Sequence, residues 1–477
     1  MTSEVALGRV SRAVVLVTLA GAFMTFLDST IVNLAVPSII AGLPDVGLAS
    51  ASWVLNAYNV VFAAFLIPAG RIADVWGAKR CFVTGLAVLV TASALCAGAG
   101  DIWILVAGRA LQAAGAAVLL PASLALLIRE FPPSRLAVAG AAFSGAGAFA
   151  AGVGPALGGA LISLGGWRLI FLVNVAVGAA AIVSAQLLIR PDGRRTGTPL
   201  PDLAGSAALS VFLGALALLM IKGAAWGWTS AAGLAVLAVA LAGLAAVVIR
   251  SRRHPAPVIQ RDLLRSRSFV LANAANLGLS VAFFGTILCN VLFLTEVWHD
   301  GSLRAGLSLT PAPVMAVIGS LLASRLGRRF GSGGVAAGGT LIFVAGVGLY
   351  LTLLGPAASF TTGWLPASAL AGFGIGLAGP ALLTAALAGI PAAQSGVASA
   401  TSLAVRQMGA CLGVALVVAV IGSPVAGAFF DPIHDGWRAA AVAAVLAAGL
   451  SVAIGAPERR REAVPARPRE ARCLCRR

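Results

Sequence analysis

Fourteen apolar runs, each long enough to cross a bilayer as a helix, dominate this sequence. The hydrocarbon core of a membrane needs about 20 apolar residues in a helix. The runs cover approximately residues 13–40, 52–70, 81–99, 103–128, 137–164, 168–189, 203–221, 231–249, 269–297, 305–324, 334–354, 364–387, 397–421 and 438–455. Hydrophobic residues make up 60% of the chain and charged residues 10%, against about 45–50% and about 25% in soluble domains. The sequence therefore predicts an all-α polytopic membrane protein.

The placement of Lys and Arg predicts the orientation of these spans. Most of the 33 basic residues lie in alternate connecting segments and in the C-terminal tail. Connections on the opposite side hold only Arg168, Lys222, Arg304 and Arg438. Cytoplasmic loops carry the excess of basic residues in membrane proteins, so we expect both termini to be cytoplasmic. The net charge of +17 then reflects topology, and we expect no nucleic-acid partner.

An internal repeat suggests two related halves. Residues Gly70–Gly77 follow the second run, and Ser324–Gly331 follow the tenth, with Arg and an aliphatic residue at the same offset and Gly at the end. We expect an N-terminal six-helix bundle (1–190), two additional spans with linkers (191–264), a C-terminal six-helix bundle (265–457) and a basic cytoplasmic tail (458–477). Duplicated transporter halves bind substrate at their interface, near the middle of the membrane.

Five motifs in chain order give the sequence a specific resemblance. They are Leu27–Pro37 in the first span, Gly70–Arg80 after the second, Arg109–Gly115 in the fourth, Gly154–Gly159 in the fifth and Gly166–Asn174 at the start of the sixth. With them the chain resembles the major facilitator superfamily, in particular its fourteen-span drug:proton antiporter family, over about residues 10–455. The resemblance implies two six-helix bundles that rock about a central cavity, and the Gly-Pro motif of the fifth span implies export.

Two charged residues lie inside apolar runs, Asp28 and Arg109. Asp28 is the expected proton-coupling group, and the resemblance implies that Arg109 takes part in the coupling. An intramembrane charge costs about 2.5–3.5 kcal/mol on insertion scales and usually has a function. Burial disfavours the charged carboxylate, so Asp28 would hold a proton until water or a cation reaches it. Gln112 lies three residues after Arg109 on the same helix face. The alternatives are a structural carboxyl at Asp28 and an Arg109 that extends to the membrane interface.

The segment after the second span is interpreted as a conformational latch. Gly70 and Gly77 would permit tight turns and close packing. Asp74 would meet helix N-termini or Arg side chains on the cytoplasmic face in one state and release them in the other. Lys79 and Arg80 complete the motif. The alternative is a solvated turn that only sets topology.

The motif of the fifth span contains small residues and no reactive group. Gly154, Pro155, Gly158 and Gly159 would let neighbouring helices approach closely and would bend the helix. Ordinary close packing is compatible with the same residues.

Other polar residues inside the runs are candidates for the wall of a substrate cavity. These residues, together with Gln112, are Asn33, Asn56, Tyr58, Asn59, Asn276, Asn290, Arg406 and Gln407. Plain hydrogen bonding between helices is an equal alternative for the amides. The three histidines, His254, His299 and His434, fall in predicted loops and are not expected to relay protons. Cys473 and Cys475 close the basic tail, and their role stays open.

The sequence therefore predicts a proton-coupled antiporter rather than an enzyme. We find no nucleotide-binding loop, metal-ligand cluster or nucleophile triad, so no cofactor or metal is expected, and energy would come from the proton gradient. Expected substrates are amphipathic cationic or neutral organic compounds such as drugs and antibiotics. An uptake symporter, a lipid flippase and a non-transporting membrane scaffold are the alternatives. The Ala-, Gly- and Arg-rich composition resembles that of proteins from a GC-rich bacterium, so we expect the bacterial plasma membrane. We also expect a monomer.

Overall fold

A computed structural model of the chain describes residues 2–131, 136–190, 202–255, 257–258, 261–391, 394–422 and 428–454. Within these ranges the side chains of residues 2–11, 71, 74, 136–137, 141, 224 and 261 are not described. The described chain is helical, and fourteen of its helices are long and apolar enough to cross a membrane. The prediction of an all-α protein with fourteen spans is confirmed.

The fourteen spans are numbered α1 to α14 in chain order. Their bounds are α1 Thr2–Ile31 continued by Val36–Gly42, α2 Leu48–Trp76, α3 Ala78–Ala97, α4 Ile102–Arg129, α5 Leu136–Gly165, α6 Arg168–Leu188, α7 Leu203–Trp226, α8 Ala231–Arg253, α9 Arg267–Leu292, α10 Pro311–Phe330, α11 Ser332–Leu353, α12 Leu365–Leu387, α13 Ser395–Ile421 and α14 Phe430–Ala453. Short helices Arg261–Leu264 and Ser302–Leu309 precede α9 and α10.

Local irregularities mark several helix ends. In α1 a 3₁₀ turn at Val32–Ala35 separates the two parts, just before Pro37, which cannot donate a backbone hydrogen bond. A π-helical turn at Phe293–Val297 extends α9, and another at Phe360–Trp364 leads into α12. Each of these turns lies within or at the edge of an apolar run that is continuous in the sequence. Hydropathy therefore does not distinguish the turn from the α-helix beside it.

The same pattern of helix packing occurs twice. In the first six helices α4, α5 and α6 pack on α1, α2 and α3 pack on α4, and α3 also packs on α6. In the last six, α12, α13 and α14 pack on α9, α10 and α11 pack on α12, and α11 packs on α14. The two sets meet where α2 packs on α13 and where α5 packs on the short helix Ser302–Leu309 and α10.

The two additional helices are central in the sequence but lie at the side of the assembly. Helix α7 packs on both α2 and α13, and α8 packs chiefly on α7. A half-buried ion pair joins α7 to α8, because Arg250 Nε of α8 lies 2.6 Å from Oδ1 of Asp202, which also caps α7. Helix α7 therefore covers one of the two seams between the repeated sets.

A glycine with positive φ links the second and third helices of each set. Gly77 (φ 94°) alone separates α2 from α3, and Gly331 (φ 77°) alone separates α10 from α11. A side chain disfavours this backbone region, so both positions require glycine for the sharp turn. The internal repeat seen in the sequence thus corresponds to the same turn at equivalent places.

Large apolar side chains cover the outer surface. Leu164 and Leu187 are each 79% exposed, and Leu321 is 70% exposed. Monomeric soluble proteins rarely expose so many large apolar side chains, and lipid tails cover them at no hydration cost.

Candidate functional site

A buried ion pair joins α1 and α4. Arg109 Nη1 lies 2.6 Å from Oδ2 of Asp28, and the two side chains are 1% and 0% exposed. Arg109 Nε also donates to the Val54 carbonyl of α2 at 3.2 Å. The sequence could not show whether these two charges meet, and the structure brings them into direct contact across 81 positions of chain.

Neutral polar side chains form hydrogen bonds with both members of the ion pair. Gln112 Oε1 accepts from Arg109 Nη1 at 2.9 Å, while Gln112 Nε2 donates to Ser93 Oγ at 2.7 Å and to Asp28 Oδ1 at 3.4 Å. The Cys96 thiol lies 3.6 Å from Gln112 Oε1. Gln112 therefore belongs to the charged network and is not free to line a cavity in this conformation.

Asn174 of α6 is a member of the network that we did not single out from the sequence. Its Nδ2 donates to Asp28 Oδ1 at 2.8 Å, and the residue is 2% exposed. It closes the Gly166–Asn174 motif, which we had used only as a marker of family resemblance. An amide in an apolar helix is a weak signal by itself, because such residues commonly bond to a neighbouring helix.

Aromatic rings enclose the guanidinium. The Arg109 Cζ atom lies 4.3 Å from the centroid of the Tyr58 ring and 6.0 Å from that of Phe171. These distances are in the range of cation–π contacts. Tyr58, predicted to line the substrate cavity, is 1% exposed and instead packs on the ion pair.

The Asp28 carboxylate accepts hydrogen bonds from two other helices. Asp28 accepts from Arg109, Gln112 and Asn174. Five helices (α1, α2, α3, α4 and α6) supply the network, and Asp28 directly links α1 to α4 and α6. The network is sealed from solvent in this conformation.

We expect Asn174→Leu to destabilise the protein more than Asn33→Leu. Leu has the same number and branching of side-chain heavy atoms but removes a hydrogen bond to a buried carboxylate, at about 1.5–3 kcal/mol. Asn33 is the matched control, because it is 5% exposed and donates only to Ser29 and Thr30 carbonyls of its own helix. Thermal unfolding of both variants in detergent measures the difference. Equal shifts would mean that the Asn174 bond contributes little.

The remaining amides of α2 lie in different environments. Asn56 is 0% exposed, and neither side-chain polar atom has a hydrogen-bond partner. Asn59 accepts from Gln407 Nε2 of α13 at 3.2 Å. The Asn59–Gln407 bond thus crosses the seam between the two repeated sets of helices.

Arg406 and Asn276 lie near that seam on the C-terminal side. Asn276 Nδ2 donates to the Ser402 carbonyl at 2.9 Å, which ties α9 to α13. Arg406, one turn after Ser402, is exposed, and its Cζ lies 5.8 Å from the Phe284 ring centroid.

An aromatic cluster joins α9, α11 and α14 of the second set. Asn290 of α9 donates to Tyr350 Oη at 3.1 Å and accepts from Trp437 Nε1 at 2.9 Å. Tyr350 and Trp437 stack with centroids 5.2 Å apart, and Phe293 and Trp364 pack beside them. Asn290, predicted to line the cavity, is therefore engaged inside its own half.

The prediction that His434 lies in a loop is wrong. His434 lies in the second turn of α14, its ring centroid is 4.3 Å from that of Phe430, and its Nε2 is buried without a partner. The apolar run began at residue 438 by hydropathy, because Asp431 and Asp435 lower the average of the first turns of the helix.

The glycines of α5 bring two other elements into close contact. A Cβ at Gly154 would be 2.6 Å from Thr30 Oγ1, and one at Gly158 would be 2.8 Å from Ile31 Cγ1. Gly159 lies directly on the Ser302 backbone, and Gly306 on the Pro155 carbonyl. One face of α5 thus packs on α1, while Pro155 and Gly159 pack on the other repeated set.

We expect Gly159→Val to prevent the contact between α5 and the Ser302–Leu309 helix. The clash is with backbone, which cannot move aside without separating the two sets, so transport should fall at least about tenfold. Gly145→Val on the same helix is the control, because nothing lies within 4 Å of its Cβ position. Substrate efflux and the spectroscopic distance between labels on α5 and α10 measure the effect. Similar transport by both variants would refute this role.

The predicted latch is partly described. Lys79 Nζ donates to the Gln186 carbonyl at 3.0 Å and to the Ile189 carbonyl, so it binds the C-terminal end of α6, where helix dipoles favour cations. Arg80 is exposed, and nothing lies within 4 Å of a Cβ at Gly70. The Asp74 side chain lies outside the described part of the structure.

No metal site accompanies these residues in the described ranges, where no three His, Cys, Asp or Glu side chains are grouped to hold an ion.

Comparison with known sequences identifies relatives along nearly the whole chain. The sequence model described as Major Facilitator Superfamily matches residues 18–414. The probable actinorhodin transporter of Streptomyces coelicolor is 34% identical over 84% of this chain and 71% of its own. The methylenomycin A resistance protein of Bacillus subtilis is 32% identical over 86% of this chain and 87% of its own. The tetracenomycin C resistance and export protein of Streptomyces glaucescens is 30% identical over 86% of this chain and 76% of its own.

Solved structures share the fold at low sequence identity. The POT family transporter PepTSo aligns with a TM-score of 0.68 and 17% identity, over 93% of this chain and 97% of its own. A bacterial homologue of the lysosomal transporter Spinster, in an inward-facing conformation, aligns with a TM-score of 0.63 and 18% identity (93% and 96%). The likeness extends to the arrangement of helices described above.

Proposed function

Because the chain belongs to the major facilitator superfamily, we propose that it is a proton-coupled exporter of amphipathic organic compounds such as antibiotics. It is a multi-pass protein of the bacterial plasma membrane. Relatives named for actinorhodin transport, methylenomycin A resistance and tetracenomycin C export favour export over uptake, lipid flipping or a scaffold role. We propose a transporter without catalytic activity, acting as a monomer with both termini cytoplasmic.

The observation that carries the proposed coupling is the buried pair of Asp28 and Arg109. A carboxylate at 0% exposure inside a membrane protein needs its cation. When the site opens to the acidic side, protonation of Asp28 removes its charge and frees Arg109 from the pair. Deprotonation on the other side restores the pair. The energy for export then comes from the proton gradient.

The movement itself would follow from the packing of the two repeated sets. We propose that α1–α6 and α9–α14 act as two bundles that rock against each other about the seams α2–α13 and α5–α10. Two-bundle transporters alternate access in this way around a site near mid-membrane. The Asn59–Gln407 bond at the first seam and the contact of Gly159 with Ser302 at the second are the places where rocking would change contacts.

The direct test uses inverted membrane vesicles that contain the protein. The vesicles are energised to an acid interior, candidate compounds are added, and a pH-sensitive dye follows proton release. We expect compound-dependent proton release in vesicles with the protein and none in vesicles without it. Compound movement with no proton release would refute proton coupling, and accumulation in the opposite direction would establish uptake.

A further inference from the structure

We propose that the substrates of this transporter carry a negative charge, and that Arg406 binds it. The inference rests on the proposed transport function for its biological meaning, and it replaces the expectation of cationic or neutral substrates. Three observations support the proposal. They are the direction in which Arg406 projects, the lack of a carboxylate partner of Arg406 among the described residues, and the groups around Arg406.

Arg406 projects into the space between the two sets of helices. On α13, Gln407 bonds to Asn59 of α2, and Leu403 packs on the cluster that contains Phe62 and Leu66 of α2. Gly409 lies on the opposite flank, where its Cβ position is 2.8 Å from the Leu277 carbonyl of α9. With 100° between successive residues of a helix, Arg406 points between the α2-facing and α9-facing directions. It therefore faces the interior between the halves and not the lipid.

The position of Arg406 is deep, and yet its side chain is accessible. It lies twelve residues into α13 (Ser395–Ile421), far from both ends of the span. Its side chain is nonetheless exposed to solvent. A residue that is both deep and accessible lines an internal space that opens to water.

The charge on Arg406 is uncompensated within the described structure. Asp28 is paired with Arg109, and Asp202 with Arg250, while no described carboxylate lies within 4.0 Å of Arg406. Cations within membrane spans pair with anions or mark the path of a charged substrate. The space between the halves thus carries a fixed positive charge, which attracts anions and repels organic cations.

The surroundings of Arg406 fit an aromatic or otherwise apolar acid. Its guanidinium lies 5.8 Å from the Phe284 ring centroid, and Phe283 packs edge-on against Phe284 at 5.2 Å. Gln407 follows Arg406 directly on α13 and bonds to Asn59. Asn276 of α9 bonds to the Ser402 carbonyl, one turn before Arg406. A carboxylate, sulfonate or phenolate would bind the guanidinium through charge-assisted hydrogen bonds, and the apolar body would pack on the phenylalanines.

The test compares two dyes with the same skeleton, anilinonaphthalene sulfonate, which is anionic, and N-phenylnaphthylamine, which is neutral. Binding to the purified full chain in detergent is followed by dye fluorescence after subtraction of the detergent signal. We expect Arg406→Gln to weaken binding of the sulfonate about tenfold or more, as loss of a hydrogen bond to a charged group predicts. Binding of the neutral dye should change less than about twofold, which also shows that the variant is folded.

Two further variants sharpen the comparison. Arg406→Lys keeps the charge but not the planar donor pair, and we expect an intermediate loss for the sulfonate. Arg438→Gln is the control, because Arg438 is 67% exposed and paired with Asp435, and neither dye should respond to it. Equal weakening of both dyes by Arg406→Gln, or no weakening of the sulfonate, would overturn the proposal.

Transport of the same dyes and of cationic ethidium into inverted vesicles separates this inference from the proposed function. Arg406-dependent sulfonate binding without transport would leave the anion site standing and refute export. Proton-coupled transport of ethidium with no binding of the sulfonate would leave export standing and refute the anion site.

Discussion

Asp28→Asn is expected to abolish compound-dependent proton release in inverted vesicles. Asn has nearly the same shape and keeps one oxygen, which can accept from Arg109 in place of Oδ2 or from Asn174 in place of Oδ1 but not from both, and it cannot bind and release a proton. The side chain is 0% exposed and is the carboxylate in contact with Arg109. Because no gradient energy then reaches the substrate, we expect uphill export to fall at least about a hundredfold, while downhill exchange of substrate persists.

The control for this variant is Asp28→Glu, which keeps the titrating group and adds one methylene to a packed site. We expect reduced but measurable proton release from Asp28→Glu, with size-exclusion chromatography to show that both variants are monodisperse. Proton release that persists at the original level in Asp28→Asn would move coupling to another residue and remove the central support for the proposed mechanism.

Arg109→Leu is expected to cause the largest loss of stability of any single substitution in the network. It leaves Asp28 buried without its cation, and removal of one partner of a buried pair costs about 3–5 kcal/mol. It also leaves the Val54 carbonyl without the Nε donor and Gln112 Oε1 without the Nη1 donor. Thermal unfolding in detergent, followed by tryptophan fluorescence, measures the loss.

A double substitution shows whether the loss comes from the unpaired charge. In Asp28→Asn with Arg109→Leu neither charge remains, and replacing a buried pair with neutral groups is often close to neutral for stability. We therefore expect the double variant to be more stable than Arg109→Leu alone, a non-additivity that is measurable when residues are in contact. Strictly additive losses would show that Arg109 acts mainly through its packing on Tyr58.

The network was predictable in its charged members and in Gln112, which shares a helix face with Arg109, but not in its other neutral members. Asp28 and Arg109 are conspicuous because charges are rare in apolar runs. Asn174 and Ser93 are small neutral residues in similar runs, and nothing in their local sequence separates a bond to Asp28 from an ordinary helix contact. Tyr58 and Asn290 were expected in a cavity wall. In the structure Tyr58 packs on Arg109, and Asn290 accepts a hydrogen bond from Trp437.

Arg406 illustrates how a residue can be identified correctly and interpreted only with the structure. Its charge in the middle of an apolar run made it a candidate for the cavity. Whether it paired with an acid, bonded to a helix or faced open space depended on the neighbours of α13. The direction set by Gln407 and Gly409, together with the pairing of Asp28 elsewhere, turned a candidate into a proposal about substrate charge.

The sequence by itself determined the number of spans, their approximate limits and the family of the chain. It did so because a helix in lipid satisfies its backbone hydrogen bonds within itself, so that length and hydropathy, which are local properties, specify each span. The tertiary structure alone decided which polar groups meet, where α7 and α8 lie, and which charges stay unpaired. These depend on how closely helices distant in sequence approach, through contacts such as those of Gly154 and Gly159. No local pattern encodes such distances.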